Sequence, residues 1–484
     1  GDIYISDYSG NHRAGFRDNS AVDLYFDIEN HTGPKLSTTA TGISVGGEVA
    51  ATQDYPNYRP TLDFNFAAVK KLDSRITYSR TGPASFTDEF GKVVLVGDNV
   101  PRFDHDPTTR ECKGLLIEES RTNLFASSDA GNSVWILNNG ITKEANTTDT
   151  KDPAGTFTAC KLMSVASAGS ASQIYDGMSH GSGGVQSLWA KKGTHNVLGI
   201  FDYGGGSGIR GWFDLNTGEH RCEGGTKVAA GVQSNGNDTN HTNMIEYPNG
   251  WYRCIYYEAA NMTYAHFRIV DFDSDTEASA SSNSIYLWGL QAEGSGQKFA
   301  TSHIPCDTGV MPGTITRGVD LYQITGEDFS DFYNQSEGTI VSEHSIATGV
   351  AAGDNTYVYQ VDDGSDTNVE FRLLDHNGAH GDVLRAYGFT GGSWNSPIYG
   401  SQTSTPDHDS VLKVAVAVKK DDFGVNFFGG TTYTDTSGDI NVDMTQLTIG
   451  NHRGGTAPLQ GHIRQFKYYP KRLPNAQLQG LTQQ

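Results

Sequence analysis

Tryptophans recur in a chain otherwise crowded with Gly, Ser, Thr and Asn, and their neighbours decide what each can do. Trp189, Trp251 and Trp288 lie inside strand-like patterns and are expected in the core. Trp394 sits in "GFTGGSWNSPIYG", which reads as a Gly/Ser-rich loop that leaves an indole face open; Trp212, in "IRGWFDLNTGEHR", is a second candidate. An open indole suits a sugar, because a sugar's C–H face stacks on the ring while Asn, Asp and Ser hold its hydroxyls. The "DHNGAHGD" turn at 375–382 offers Asp375, His376 and Asn377 as such partners, although a hairpin accounts for it equally well.

Other constellations are weaker. Asp271, Asp273 and Asp275 in "DFDSDTE" have calcium-like spacing but lack the later Gly and Glu of an EF-hand loop. A solvated acidic loop is the plain reading and a structural calcium the sharper one; no other cofactor is expected. "DDGSDTN" at 362–368 reads the same way, and "GGGSG" at 204–208 reads as a hairpin turn. There is no G-x-S-x-G elbow, H-E-x-x-H helix, Walker loop or E-x-D-x-x-E strand. Glu118 and Glu119 as a catalytic acid–base pair is the sharper reading of these neighbouring carboxylates and a structural collar the expected one, since adjacent side chains on an extended segment point to opposite faces. Five cysteines, an odd number without metal-ligand spacing, read as buried thiols; Cys222 with Cys254 is the pair to test for a bridge.

The elements that would position these residues are strands. At 484 residues there is room for roughly three domains. The 58 glycines and the Asn, Asp, Ser and Thr clusters between short Val, Ile, Tyr and Phe runs are the composition of an all-β protein. A formal charge of −21 without a Lys/Arg stripe argues against a nucleic-acid partner. No apolar run reaches the length of about 18 residues that a spanning helix needs, so membrane insertion is not expected, nor is a secretory signal seen. Gly1 in place of Met leads us to expect a true start upstream.

Along the chain, residues 1–60 alternate without enough apolar bulk for a core of their own, which predicts a trimerising β region whose copies complete one another. Residues 61–124 are expected as a linker and collar. Within it "RFDHDPTTRECKGLLIEESRTNLF" (102–125) is the densest block of the sequence: Leu115, Leu116 and Ile117 show no alternation and must be buried on both sides, as a plug rimmed by Glu118, Glu119 and Arg121. Residues 125–310 carry strands at short, regular spacing with turns at Asn216-Thr217-Gly218 and Pro248-Asn249-Gly250, predicting a jelly roll. A linker at 311–336 and a second sandwich at 337–484 follow, closed by a short helix after Pro474 that carries Leu478 and Leu481.

Residues 72–125, with R-x-T-x-x-R, P-R-F-D-x-D-P and G-L-L-I-E-E-x-R-T-N-L, closely resemble a segment of bacteriophage tail and fibre proteins. There it precedes a jelly roll with signatures matched by "FDLNTG" at 213–218, "WYR" at 251–253, "IYLWGLQAE" at 285–293 and "SHIP" at 302–305. Residues 19–51 look like the repeated β modules of marine phage fibres, and "GHIRQFKYYPKRLPNAQLQGL" (461–481) is similar to the end of concanavalin A-like, laminin-G-like modules. The resemblance implies a homotrimeric virion protein on the outer surface of a tail or fibre, assembled in a bacterial cytoplasm, contacting other virion subunits and binding a host-surface glycan without catalysis. A glycan depolymerase using carboxylates of the 271–277 or 362–382 loops is the rival, and a purely structural fibre or decoration protein the third reading.

Overall fold

The computed structural model describes five strands between Ile3 and Val45, then residues 59–164, 172–176, 181–202, 210–236, 240–262, 264–274, 283–294, 298–307, 314–347, 355–378, 381–396, 410–441 and 443–483. Nearly all of it is strand and turn, arranged as antiparallel β-sandwiches. Two compact units divide the chain, 1–57 and 58–484. In the first, Ile3–Ser6, His12–Phe16, Val22–Leu24, Leu36–Thr39 and Gly42–Val45 form an antiparallel sheet in sequence order.

The second unit holds two sandwiches. One lies wholly within 136–294. Its first sheet runs Ile136–Asn138, Ser172–Tyr175, Ala265–Ile269, Val197–Asp202, Arg210–Asp214, Glu219–Cys222, Val228–Ala229. The facing sheet runs Ile141–Glu144, Cys160–Ser164, Ser284–Gly294, Gly181–Lys192, Trp251–Met262, His241–Tyr247, Ser234–Asn235. Between them pack Leu162, Leu188, Ile200, Phe213, Tyr256, Phe267 and Leu287, all fully buried. The turns expected at 216–218 and 248–250 form, with Asn249 and Gly250 both at positive φ. All five cysteines are free thiols, so Cys222 and Cys254 sit unbridged in the core.

The other sandwich is discontinuous. Its strands Glu337–Ile346, Leu412–Lys419, Phe423–Phe427 and Gly461–Tyr469 share a sheet with Leu62–Asn65, Phe103–His105 and Cys112–Ile117. The opposite sheet adds Thr77–Ser79 and Leu321–Thr325 to Asn355–Asp362, Val369–Gly378, Gly381–Thr390, Ser393–Ser396 and Gln446–Ile449. The stretch expected as linker and collar therefore supplies strands to the C-terminal sandwich, and the 136–294 sandwich is an insertion between its parts. The reason is a long-range pairing. Leu115 and Ile117 pair with Ile463 and Gly461 and point into the inter-sheet core beside Ile463 and Ile449, while Leu116 is buried on the other face. Gly114 is the residue that permits this approach: its φ is 100°, and a Cβ there would lie 2.3 Å from the Ile463 carbonyl oxygen.

Alternation sets the faces of Leu412–Lys419. Val414, Val416 and Val418 enter the inter-sheet core, while Ala415 and Ala417 turn outward to meet the closing helix Asn475–Thr482 through Leu478. That helix starts after Pro474, as its sequence predicts.

Candidate functional site

The dense block of charges around residue 118 is a buried polar hub at the junction of the two sandwiches. Glu118 pairs with Arg102 at 2.5 Å and with Arg317 at 2.9 Å, and accepts bonds from the Ser302 amide (2.7 Å) and hydroxyl (2.6 Å). Asp320 pairs with Arg102 at 2.5 Å and accepts from the Tyr78 hydroxyl at 2.7 Å and the Glu118 amide at 2.8 Å. Burial works to raise the Glu118 carboxyl, and the Arg317 and Arg102 guanidiniums override it, holding the group far below the usual carboxylate range. Glu119 turns elsewhere, to Arg121. The hub is saturated and offers no free carboxylate for chemistry.

Next to Ser302 of the hub, His303 packs on an aromatic surface, its ring centre 5.6 Å from that of Trp189 and 5.3 Å from that of Trp288. Leu188 and Ala190 face the core of the inserted sandwich, so Trp189 between them faces out, where it packs with Tyr247, Trp251 and Trp288. Val93, from the hairpin formed by Ala84–Thr87 and Val93–Val96, covers that surface. The three tryptophans expected in the core are thus buried, in a satellite cluster on the outer face of one sheet.

Beside this cluster opens a cleft of about 560 Å³. Strand Ser284–Gly294 brings Trp288 to its wall, with the indole N–H donating to the Thr158 hydroxyl at 2.9 Å. Gly289 follows at φ 66°, where a Cβ would press to 2.9 Å from the Trp189 ring. Asp129 and Asp307, from the 127–132 turn and the 301–307 segment, line the same space with Asn146 and His303. Asp129 accepts from the Gly131 amide at 2.7 Å, and Asp307 from the Asn132 side chain at 2.9 Å. Burial raises the Asp129 carboxyl above its usual value, and the Asp307 charge adds to this. Half-exposed Leu95 forms an apolar edge. Fixed carboxylate and amide acceptors over an aromatic wall can receive hydroxyl donors. These residues were not singled out by sequence; the signal available was two Asp-bearing turns, "SSDAGN" and "IPCDTG".

The residues that were singled out are scattered. Trp212 is 4% exposed: it packs with Phe201 and Val270, and its N–H donates to the Ser274 carbonyl at 2.8 Å, so it is a core residue and no ligand contact. Its place on strand Arg210–Asp214 turns the ring under the 271–274 turn. Trp394 is not in a loop; it lies on edge strand Ser393–Ser396 opposite Phe389, with its side chain outside the described residues. Asp375, His376 and Asn377 end strand Val369–Gly378, opposite Leu384, Val383 and Asp382 of the returning strand, and their side chains too lie outside the described residues. Asp273 is paired with Arg221 at 2.7 Å, Asp271 flanks the same turn, and Asp275 lies outside the described residues, as does 204–208. In the 362–368 loop Asp362 accepts from Gln360, Gln446 and Gly364, Asp363 from Ser365 and Asn368, and Asp366 binds His452 and Arg453, so these carboxylates tie the loop to its own sandwich.

No family model matches the chain, and no curated protein matches it. Among solved structures, it overlaps a toad ovary galectin in complex with thio-digalactose at 9% identity and TM-score 0.22, over 30% of this chain and 96% of that one. A Trypanosoma rangeli sialidase in complex with the inhibitor DANA overlaps at 10% identity and TM-score 0.25, over 67% of this chain and 60% of the sialidase. Domains LG4-5 of the mouse laminin alpha1 chain overlap at 9% identity and TM-score 0.18, over 76% and 90%.

Proposed function

We propose that this chain is a non-catalytic glycan-binding protein of a phage tail or fibre, acting as a homotrimer on the virion surface. The observation that carries the glycan reading is the cleft in which Trp288, Asp129, Asp307, Asn146 and Thr158 meet one open space. Carboxylates already bonded by Gly131 and Asn132 are held as fixed acceptors, which suits recognition of hydroxyls better than proton transfer. The virion setting is supported by the phage-like segment at 72–125, and the trimer by the alternating, apolar-poor strands of residues 1–60. Trp394, level with Val369 on the edge strand, and Asp375–Asn377, at the opposite end of strand Val369–Gly378, are offered as two further contact points, and the acidic 271–275 turn as a place for a structural calcium.

The experiment is a glycan-array screen of the full chain, followed by titration of the best hit. Asp307→Ala is expected to weaken that hit about tenfold with an unchanged melting temperature, and light scattering to give three times the mass of one chain. Binding untouched by Asp307→Ala would remove the cleft, and a monomeric mass would remove the trimer. The depolymerase reading has one observation of its own, the raised Asp129 carboxyl beside Asp307. Release of reducing ends from the bound glycan, lost in Asp129→Asn, would establish it instead.

A further inference from the structure

A second cavity, of about 370 Å³, lies where the two sandwiches meet and shares His303 in its wall with the cleft. Its walls hold buried polar groups with no partner. The Trp189 indole N–H, the Arg253 Nε–H and the His303 Nδ1 all lack one, on side chains no more than 7% exposed. His105, 4% exposed, has Nδ1 at 3.1 Å from the Thr87 carbonyl, so Nδ1 donates and the partnerless Nε2 is a bare acceptor. An orphaned buried donor or acceptor costs about 1–3 kcal/mol, and several around one void point to something that fills it.

The charges on the walls say what that is. Glu118 is taken by Arg102 and Arg317, Asp104 by His462 at 3.0 Å, and Asp106 faces Lys113 at 3.8 Å. Arg253 makes no ion pair among the described residues: Nη2 donates to the Ser187 hydroxyl (3.1 Å) and the Thr301 carbonyl (2.6 Å), and the guanidinium lies 4.7 Å from the Trp189 ring centre. A buried cation met only by neutral groups lacks its counter-charge. Its free Nε–H and the Trp189 N–H are donors for a carboxylate, and the His105 Nε2 is an acceptor for a hydroxyl. We propose that this cavity binds a small, hydroxylated carboxylate of the acidic-monosaccharide class. The volume falls in the range of roughly 300–1,000 Å³ typical of small-molecule sites. This site is carried by its own orphaned groups and does not depend on the outer cleft.

The test uses the full chain with two probes that differ at one carbon, glucuronate and glucose. Titration should show glucuronate bound at least about tenfold more tightly than glucose, and the Trp189 indole N–H signal should move in the ¹H–¹⁵N spectrum of the unsubstituted protein. Arg253→Gln should abolish the preference, while Asp307→Ala, in the outer cleft, should leave it intact. Should Arg253→Gln fail to fold, His105→Phe fills the void from another wall and should abolish binding with the fold retained. Equal binding of the two probes, a Trp189 signal unmoved at roughly 10 mM glucuronate, or binding that survives His105→Phe would overturn the proposal and leave a cavity filled by water.

Discussion

At the residue scale, Trp212 and Glu118 show how neighbours decide a side chain's role. Trp212 has the sequence surroundings of an exposed indole, yet the 271–274 turn folds over it and takes its N–H. Glu118 has the chemistry of a catalytic acid, yet two arginines and Ser302 consume every lone pair that a substrate would need. Glu118→Gln keeps the shape but leaves Arg102 and Arg317 without their shared carboxylate. Removing one partner of a buried ion pair costs about 3–5 kcal/mol. A denaturant titration should therefore show a clearly lower midpoint for Glu118→Gln, with glycan binding at the outer cleft, which Glu118 does not line, unchanged wherever the fold persists. A midpoint equal to the parent's would mean that the hub contributes nothing.

At the element scale, strand Leu412–Lys419 is the clearest case of a sequence serving two faces. Its valines fill the core and its alanines leave room for the closing helix, whose Leu478 rests on Ala415 and Ala417. Ala415→Leu adds bulk where backbone and helix already meet, and overpacking of this kind costs about 1–3 kcal/mol. The helix should yield before the sheet does. Faster amide exchange across 475–482, with the exchange of 412–419 unchanged, is the expected signature; equal loss in both would place the helix and sheet in one cooperative unit.

At the scale of the whole molecule, buried neutral histidines set an acid limit. Burial depresses His220 and His241 to about 4, and His344 to about 3. For His266 and His303 burial again comes first, with the charge of Arg268 or Arg253 adding to it, giving about 4 and about 3. A folded-state pKa below the unfolded value of 6.5 means stability fully present above pH 6.5 and lost as pH falls towards 4 and then 3. Each pH unit of such displacement is worth about 1.4 kcal/mol per group. Glu370 has the opposite sign: burial raises it to about 7, so its contribution is present below 4.5 and fades as pH rises through 7. The five depressed histidines predict a melting temperature that drops steeply between pH 6.5 and 4. His344→Leu should shallow that drop, and a flat profile would contradict the buried neutral state.

Much of this protein follows from its sequence alone. Alternating Val, Ile, Tyr and Phe between Gly, Asn and Asp turns dictates antiparallel strands, because a two-residue period exposes one face and buries the other. The same reasoning correctly buries Trp189, Trp251 and Trp288, places the turns at 216–218 and 248–250, and starts the last helix after Pro474. Periodicity does not say which strand will be a neighbour. Leu116 finds His462 across the length of the inserted sandwich, and the apolar run at 115–117, legible as doubly buried, could not reveal that its partner belonged to the C-terminal sheet. The cleft is illegible in the sequence for the same reason. Asp129 and Asp307 are ordinary turn residues until the isolated bridge between Ser127 and Asp307 joins their segments beside Trp288. Hydrogen bonds between distant segments, rather than local preference, made that choice.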